Sequence, residues 1–163
     1  MKNSDNASLS RKELLTLITH YCSREERCIF DVTKKISEYN LPESEITEII
    51  EFLKKEKYID ELRYTEAFVN DKFRFNKWGK YKINFALKQK HIPDHIIAEA
   101  LEKIPEENYH SLLHDELSKK LRSLSKSSGY ELKSKLYRFA ASRGYENDLI
   151  LEVINELIDK KSR

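Results

Sequence analysis

The sequence predicts an all-α protein made of three tandem three-helix repeats in a curved, elongated stack. Three observations lead there. Only three Gly and three Pro punctuate 163 residues, too few for the turns of a β-protein and suited to helices of ten or more residues. Apolar residues recur at helical spacing in nine windows. Those windows fall into three sets of three, related by shifts of 51 and then 53 residues.

In chain order the windows cover 11–21, 24–39 and 43–57, then 61–76, 80–90 and 94–104, then 107–125, 129–143 and 147–160. Residues 1–10 form a polar segment expected to be disordered, and the repeats are expected to span 11–59, 60–106 and 107–163. Ser23 with Glu26 and Ser128 with Glu131 have capping-box spacing, which marks the middle helix of the first and third repeats. The second repeat enters its middle helix through Lys77-Trp78-Gly79 instead.

The repeat register rests on seven apolar columns: Val32, Ile83, Leu136; Ile36, Leu87, Ala140; Leu41, Ile92, Tyr145; Ile46, Ile97, Ile150; Ile49, Ala100, Val153; Ile50, Leu101, Ile154; and Leu53, Ile104, Leu157. Just before the third column stand Asn40, His91 and Gly144, residue types that tolerate the left-handed backbone with which helices commonly end. Pro42 and Pro93 then suit the first turn of the next helix, where an N–H has no partner to lose.

A formal charge of +2 conceals segregation. Residues 72–90 carry Lys72, Arg74, Lys77, Lys80, Lys82, Lys88 and Lys90 without one acid. Residues 117–144 carry Lys119, Lys120, Arg122, Lys126, Lys133, Lys135, Arg138 and Arg143 against Glu131 alone. The first repeat is acidic in turn, with Glu43, Glu45, Glu48 and Glu51 close together. Stretches this basic attract phosphates or an acidic protein surface, the competing reading being a solvated face. Phe73, Phe75, Trp78, Tyr81 and Phe85 interleave with the first stretch. Such rings can stack on bases, but most aromatics on a helical repeat are expected in the core.

No catalytic constellation is expected. Glycines at 79, 129 and 144 cannot build a phosphate loop. His110 and His114 have metal-ligand spacing on one helical face, with Asp115 adjacent, but a third ligand of correct spacing is missing, so no metal site and no cofactor are expected. His91 and His95 straddle Pro93. Cys22 and Cys28 read as buried, inert thiols outside CxxC spacing, and Glu25 and Glu26 as helix neighbours pointing about a hundred degrees apart. The polar start, Met1 to Asn6, and the lack of any long apolar run lead us to expect a cytoplasmic, monomeric protein without a membrane anchor.

Tyr58-Ile59-Asp60-Glu61-Leu62-Arg63-Tyr64-Thr65-Glu66-Ala67-Phe68-Val69 resembles the repeat junction of the RecX family, an aspartate-bearing turn before an Arg-aromatic pair. Trp78-Gly79-Lys80-Tyr81-Lys82-Ile83 with Leu87-Lys88-Gln89-Lys90-His91-Ile92 is similar to the family's Trp-Gly, basic-helix, Lys-Gly-Ile pattern. His91 replaces the usual Gly, Lys80 stands where Pro is common, and Ala86 where an acid is common, making this helix more basic than the pattern. The resemblance covers nearly the whole chain. It implies a non-enzymatic regulator of recombination and DNA repair that lies in the groove of the RecA-DNA filament and bridges its subunits. Filament extension, ATP turnover and strand exchange would be inhibited, and single- or double-stranded DNA bound weakly. A direct DNA-binding repeat protein and a protein-only scaffold are the competing readings.

Overall fold

Each repeat turns at one backbone conformation: Asn40, His91 and Gly144 have φ of 52°, 56° and 86°. At the last two, the N–H beyond the turn reaches back five residues, Ile92 N to Leu87 O at 3.3 Å and Tyr145 N to Ala140 O at 3.4 Å. These bonds occupy carbonyls that a helix end would otherwise leave bare. Pro42, Pro93 and also Pro105 sit at the N-cap of the helix that follows.

The computed structural model describes residues 9–161, which hold nine helices and no strand. Helices α1 (Arg11–Arg24), α2 (Ile29–Ser37) and α3 (Glu43–Lys55) form the first set. The second is α4 (Glu61–Arg74), α5 (Lys80–Lys88) and α6 (Asp94–Glu102); the third is α7 (Glu106–Ser123), α8 (Gly129–Ser142) and α9 (Asn147–Lys161). The disordered segment expected at 1–10 lies outside the described residues up to Ser4, Asn6 and their neighbours through residue 8. Ser10, by contrast, closes a capping box with Glu13: Glu13 N donates to Ser10 Oγ at 3.3 Å and Ser10 N to Glu13 Oε2 at 2.8 Å.

Burial confirms the column register. Val32, Ile83, Leu136, Ile36, Leu87 and Ala140 are all 0% exposed, and burying each Val, Ile or Leu contributes roughly 1.5–3 kcal/mol. The apolar residues separate into two cores. One holds α1–α3 around Ile18, Ile36 and Leu53; the other runs continuously through the second and third sets, from Tyr64 and Ile83 to Leu113, Leu136 and Ile150.

The middle helices begin differently from expectation. Instead of ending at Tyr21, α1 continues to Arg24, so Ser23 lies inside it and donates Oγ to His20 O at 2.8 Å. The start of α2 is fixed from outside, where Ile29 N donates to the Glu61 carboxylate of α4 at 2.7 Å. This long-range acceptor, together with the full burial of Cys28, overrides the local capping pattern. Glu25 and Glu26 are therefore off any helix, paired with Arg27 and Arg63 respectively. Ser128 does occupy the N-cap of α8 but makes no side-chain cap bond, and Glu131 pairs with Lys135 at 2.5 Å.

Helix α5 is anchored by the third set. Gly79 N donates to Arg143 O at 2.7 Å, Lys80 N to Tyr109 Oη at 2.8 Å, and Tyr81 N to Gly144 O at 3.0 Å. Three N–H groups at the start of α5 are thus satisfied by residues of α7 and the α8–α9 turn. Tyr109 Oη in turn donates to Glu146 Oε2 at 2.6 Å, and Tyr145 Oη to Lys77 O at 3.2 Å. The first set meets the second through Cys28, which is buried in the core of the second and third sets, and through polar pairs: Lys90 with Asp31 at 2.6 Å and Arg63 with Glu26 at 2.6 Å.

Candidate functional site

The α4–α5 corner exposes rings that a helical repeat ordinarily buries. Of the five aromatics interleaved with the first basic stretch, Phe73 and Trp78 pack against the core, but Phe75 is 75% exposed, Tyr81 60% and Phe85 66%. This corrects the expectation of core packing for most of them. The reason is periodicity: Ile83 and Leu87 take the buried face of α5, and Tyr81 and Phe85, four apart, share a different face.

Lys82 and Lys72 flank the Trp78 ring at 4.8 and 5.1 Å, and Lys72 also lies 5.3 Å from the Phe68 ring. Lys82 Nζ further donates to Ser142 O at 3.2 Å. The indole thus holds two cations close together by its negative face.

Acid-free in sequence is not acid-free in space. Lys80 pairs with Glu106 at 2.7 Å and covers the Tyr109 ring, Lys88 pairs with Asp94 at 3.2 Å, and Lys90 pairs with Asp31. Lys77 donates to Arg74 O at 2.5 Å. Arg74 itself is exposed and has no ion pair among the described residues. Of the second stretch, Lys119 pairs with Glu116 and Lys135 with Glu131. Arg143 donates to Asn76 O at 2.9 Å while lying with Lys120 over the Phe139 ring, and Arg138 donates to Ser134 O at 3.3 Å. Arg122, Lys126 and Lys133 are exposed and carry no acidic partner among the described residues. The cations least committed within the fold are therefore Arg74, Arg122, Lys126 and Lys133.

An open groove of about 750 Å³ runs between α8 and α9, lined by Tyr130, Tyr137, Leu151 and the basic Lys133 and Arg138. Tyr130 is 87% exposed, and Gly129, with φ of 56°, starts the helix that presents it. No local sequence signal marks this ring, because its exposure depends on whether any other element packs over the first turn of α8.

Titratable groups away from these surfaces have structural surroundings. Burial pushes the Cys28 thiol up to about 11 despite the nearby Asp31 backbone, and raises Cys22 as well. Tyr109 and Tyr145 are raised, chiefly by burial. Burial also raises Glu61, against the lowering effect of its bond from Ile29 N. His91 serves as the turn residue, with its ring 5.2 Å from Phe30. His110 and His114 do not converge: His114 Nδ1 lies 4.0 Å from Asp115, and its Nε2 is buried without a partner. Glu152 and Glu156 of α9 are the groups that approach His110. No described helix is long and apolar enough to cross a membrane.

Two family models match the chain, "RecX, second three-helix domain" over residues 60–101 and "RecX, third three-helix domain" over 106–154. Regulatory protein RecX of Clostridium botulinum (strain Eklund 17B / Type B) is 36% identical over 130 residues, 78% of this chain and 60% of the relative. Regulatory protein RecX of Clostridium acetobutylicum is 31% identical over 162 residues, 97% of this chain and 73% of the relative. This chain thus spans about 60% of the length of the first of these relatives. The fold matches the crystal structure of RecX from Lactobacillus salivarius with a TM-score of 0.81 at 24% identity, over 88% of this chain and 93% of that one.

Proposed function

The chain belongs to the RecX family, and from that premise we propose that it binds the RecA-DNA filament and restrains its extension, ATP turnover and strand exchange in recombination and repair. The protein acts in the cytoplasm, as a monomer and without catalysis. Its repeats span 11–59, 60–106 and 107–163.

One observation carries the reading: α5 presents Tyr81 and Phe85, 60% and 66% exposed, beside Lys82 and Lys88, on a helix whose start is tied to the third set by two backbone bonds and one to the Tyr109 hydroxyl. Exposed aromatic side chains are what interface cores are made of, and fixed cations orient an acidic partner. Anchoring α5 in advance lowers the ordering cost of binding. The basic α8 and α9 groove gives a second contact, and two weak contacts on one rigid body gain avidity against a repeating filament.

The test is recombinase ATP turnover and strand exchange with the native protein and with Tyr81→Ala/Phe85→Ala. Native protein is expected to slow both at substoichiometric amounts, and the variant to lose that effect with its fold intact. Unchanged turnover and exchange with native protein in excess would contradict the proposal. The second reading, direct DNA binding, is favoured by the free cations Arg74, Arg122, Lys126 and Lys133. It would show as equal binding to naked and recombinase-coated DNA with a steep dependence on salt.

A further inference from the structure

His110 of α7 meets Glu152 and Glu156 of α9, and we propose that these three side chains bind a divalent transition-metal ion, Zn²⁺ before Mn²⁺, clamping α7 to α9. The site is independent of the regulatory reading above. One ligand atom from each residue lies within 4.8 Å of the other two. His110 Nε2 and Glu156 Oε1 are 3.6 Å apart. That is longer than a normal hydrogen bond, at about 2.7–3.2 Å. It is close to the edge, about 3.3 Å, that two ligands span around one tetrahedral ion with bonds of about 2.0–2.1 Å.

The charges lack a counterpart. Glu152 and Glu156 stand four apart on one face of α9, a repulsive arrangement on a bare helix. Neither has an ion pair to Lys or Arg among the described residues. One imidazole and two carboxylates form a mixed set: the nitrogen favours Zn²⁺ over Mg²⁺ or Ca²⁺, and the oxygens admit Mn²⁺.

The frame is rigid on both sides. Tyr109 and Leu113 beside His110 are 2% and 0% exposed, and Val153 beside Glu152 is 0%. His110 and Glu156 side chains are 35% and 38% exposed, partly sheltered yet open to an entering ion, with water free to take the fourth position. The local sequence hid this set because its members lie more than forty positions apart, His110 against Glu152 and Glu156.

The test uses full-length, tag-free protein stripped with EDTA, titrated with ZnCl₂ in a calorimeter and melted with and without the metal. Co²⁺ serves as a visible-absorbing probe of coordination. One Zn²⁺ per chain is expected, with a raised melting midpoint and tetrahedral Co²⁺ bands. Glu152→Gln/Glu156→Gln, and separately His110→Asn, should weaken binding roughly tenfold or more and abolish the midpoint shift. Glu99→Gln, an exposed acid on α6, should change neither. The glutamine pair removes a repulsion and is expected to remain folded by circular dichroism. Absence of saturable Zn²⁺ binding would overturn the proposal, as would equal binding by the native protein and both variants.

Discussion

A methyl group added at Gly79 would run into the Gly144 carbonyl, and one added at Gly144 into the Lys82 backbone. Gly144 also has φ of 86°, which side chains other than glycine rarely adopt. Gly79→Ala and Gly144→Ala are each expected to cost about 2–4 kcal/mol in denaturant unfolding; a loss below about 0.5 kcal/mol would mean the helices can part there without penalty. Tyr109 joins Lys80 N to Glu146 through one hydroxyl, so Tyr109→Phe is expected to cost about 1–3 kcal/mol by leaving buried groups unpaired. Cys22 and Cys28 are 7% and 0% exposed with thiols held protonated by burial. Iodoacetamide should therefore modify neither until the protein unfolds, as mass spectrometry can follow. Among these residues the turn at Gly144 and the inert thiols were legible in the sequence. The clash at Gly79 was not, because the obstacle comes from sixty-five positions away.

Helix stops were easier to read than helix starts. Asn40, His91 and Gly144 act through their own backbone conformation, which residue type alone suggests. The start of α2 depends on the Glu61 carboxylate, thirty-two positions on, and no local pattern reports that. Burial holds the Glu61 carboxyl above its ordinary range. A raised folded-state value means its favourable contribution is present at low pH and is lost as pH climbs through that value. Glu61→Gln keeps an acceptor for Ile29 N without the charge. It should gain stability relative to the native protein from about pH 4 to about pH 7, measured by denaturation across that range; a constant difference would deny the burial effect. On α5 the helix and its basic character were legible, but the exposed face was not. Ile83 and Leu87 could be assigned to the core from the repeat columns, whereas the fate of Tyr81 and Phe85 depended on whether any neighbour covered that side.

At the scale of the whole molecule, one core spans the second and third sets and a separate, smaller one serves the first. The repeat columns showed three alike units, yet they could not show that two of them merge, because much of the joint lies outside the columns, as where Tyr109 of α7 packs against Phe73. Hydrogen exchange should accordingly find α1–α3 opening separately from α4–α9, which exchange together; uniform protection across all nine helices would contradict two cores. The rigid unit also carries both candidate contact surfaces, the aromatic corner of α5 and the groove of α8 and α9, at a fixed spacing that suits a partner repeating along its length. The most direct measurement is co-sedimentation with recombinase-coated single-stranded DNA beside bare DNA at matched salt. Selective pelleting with the coated DNA, lost in Tyr81→Ala/Phe85→Ala, is the expected result. Equal pelleting with bare DNA, or none with either, would contradict filament binding.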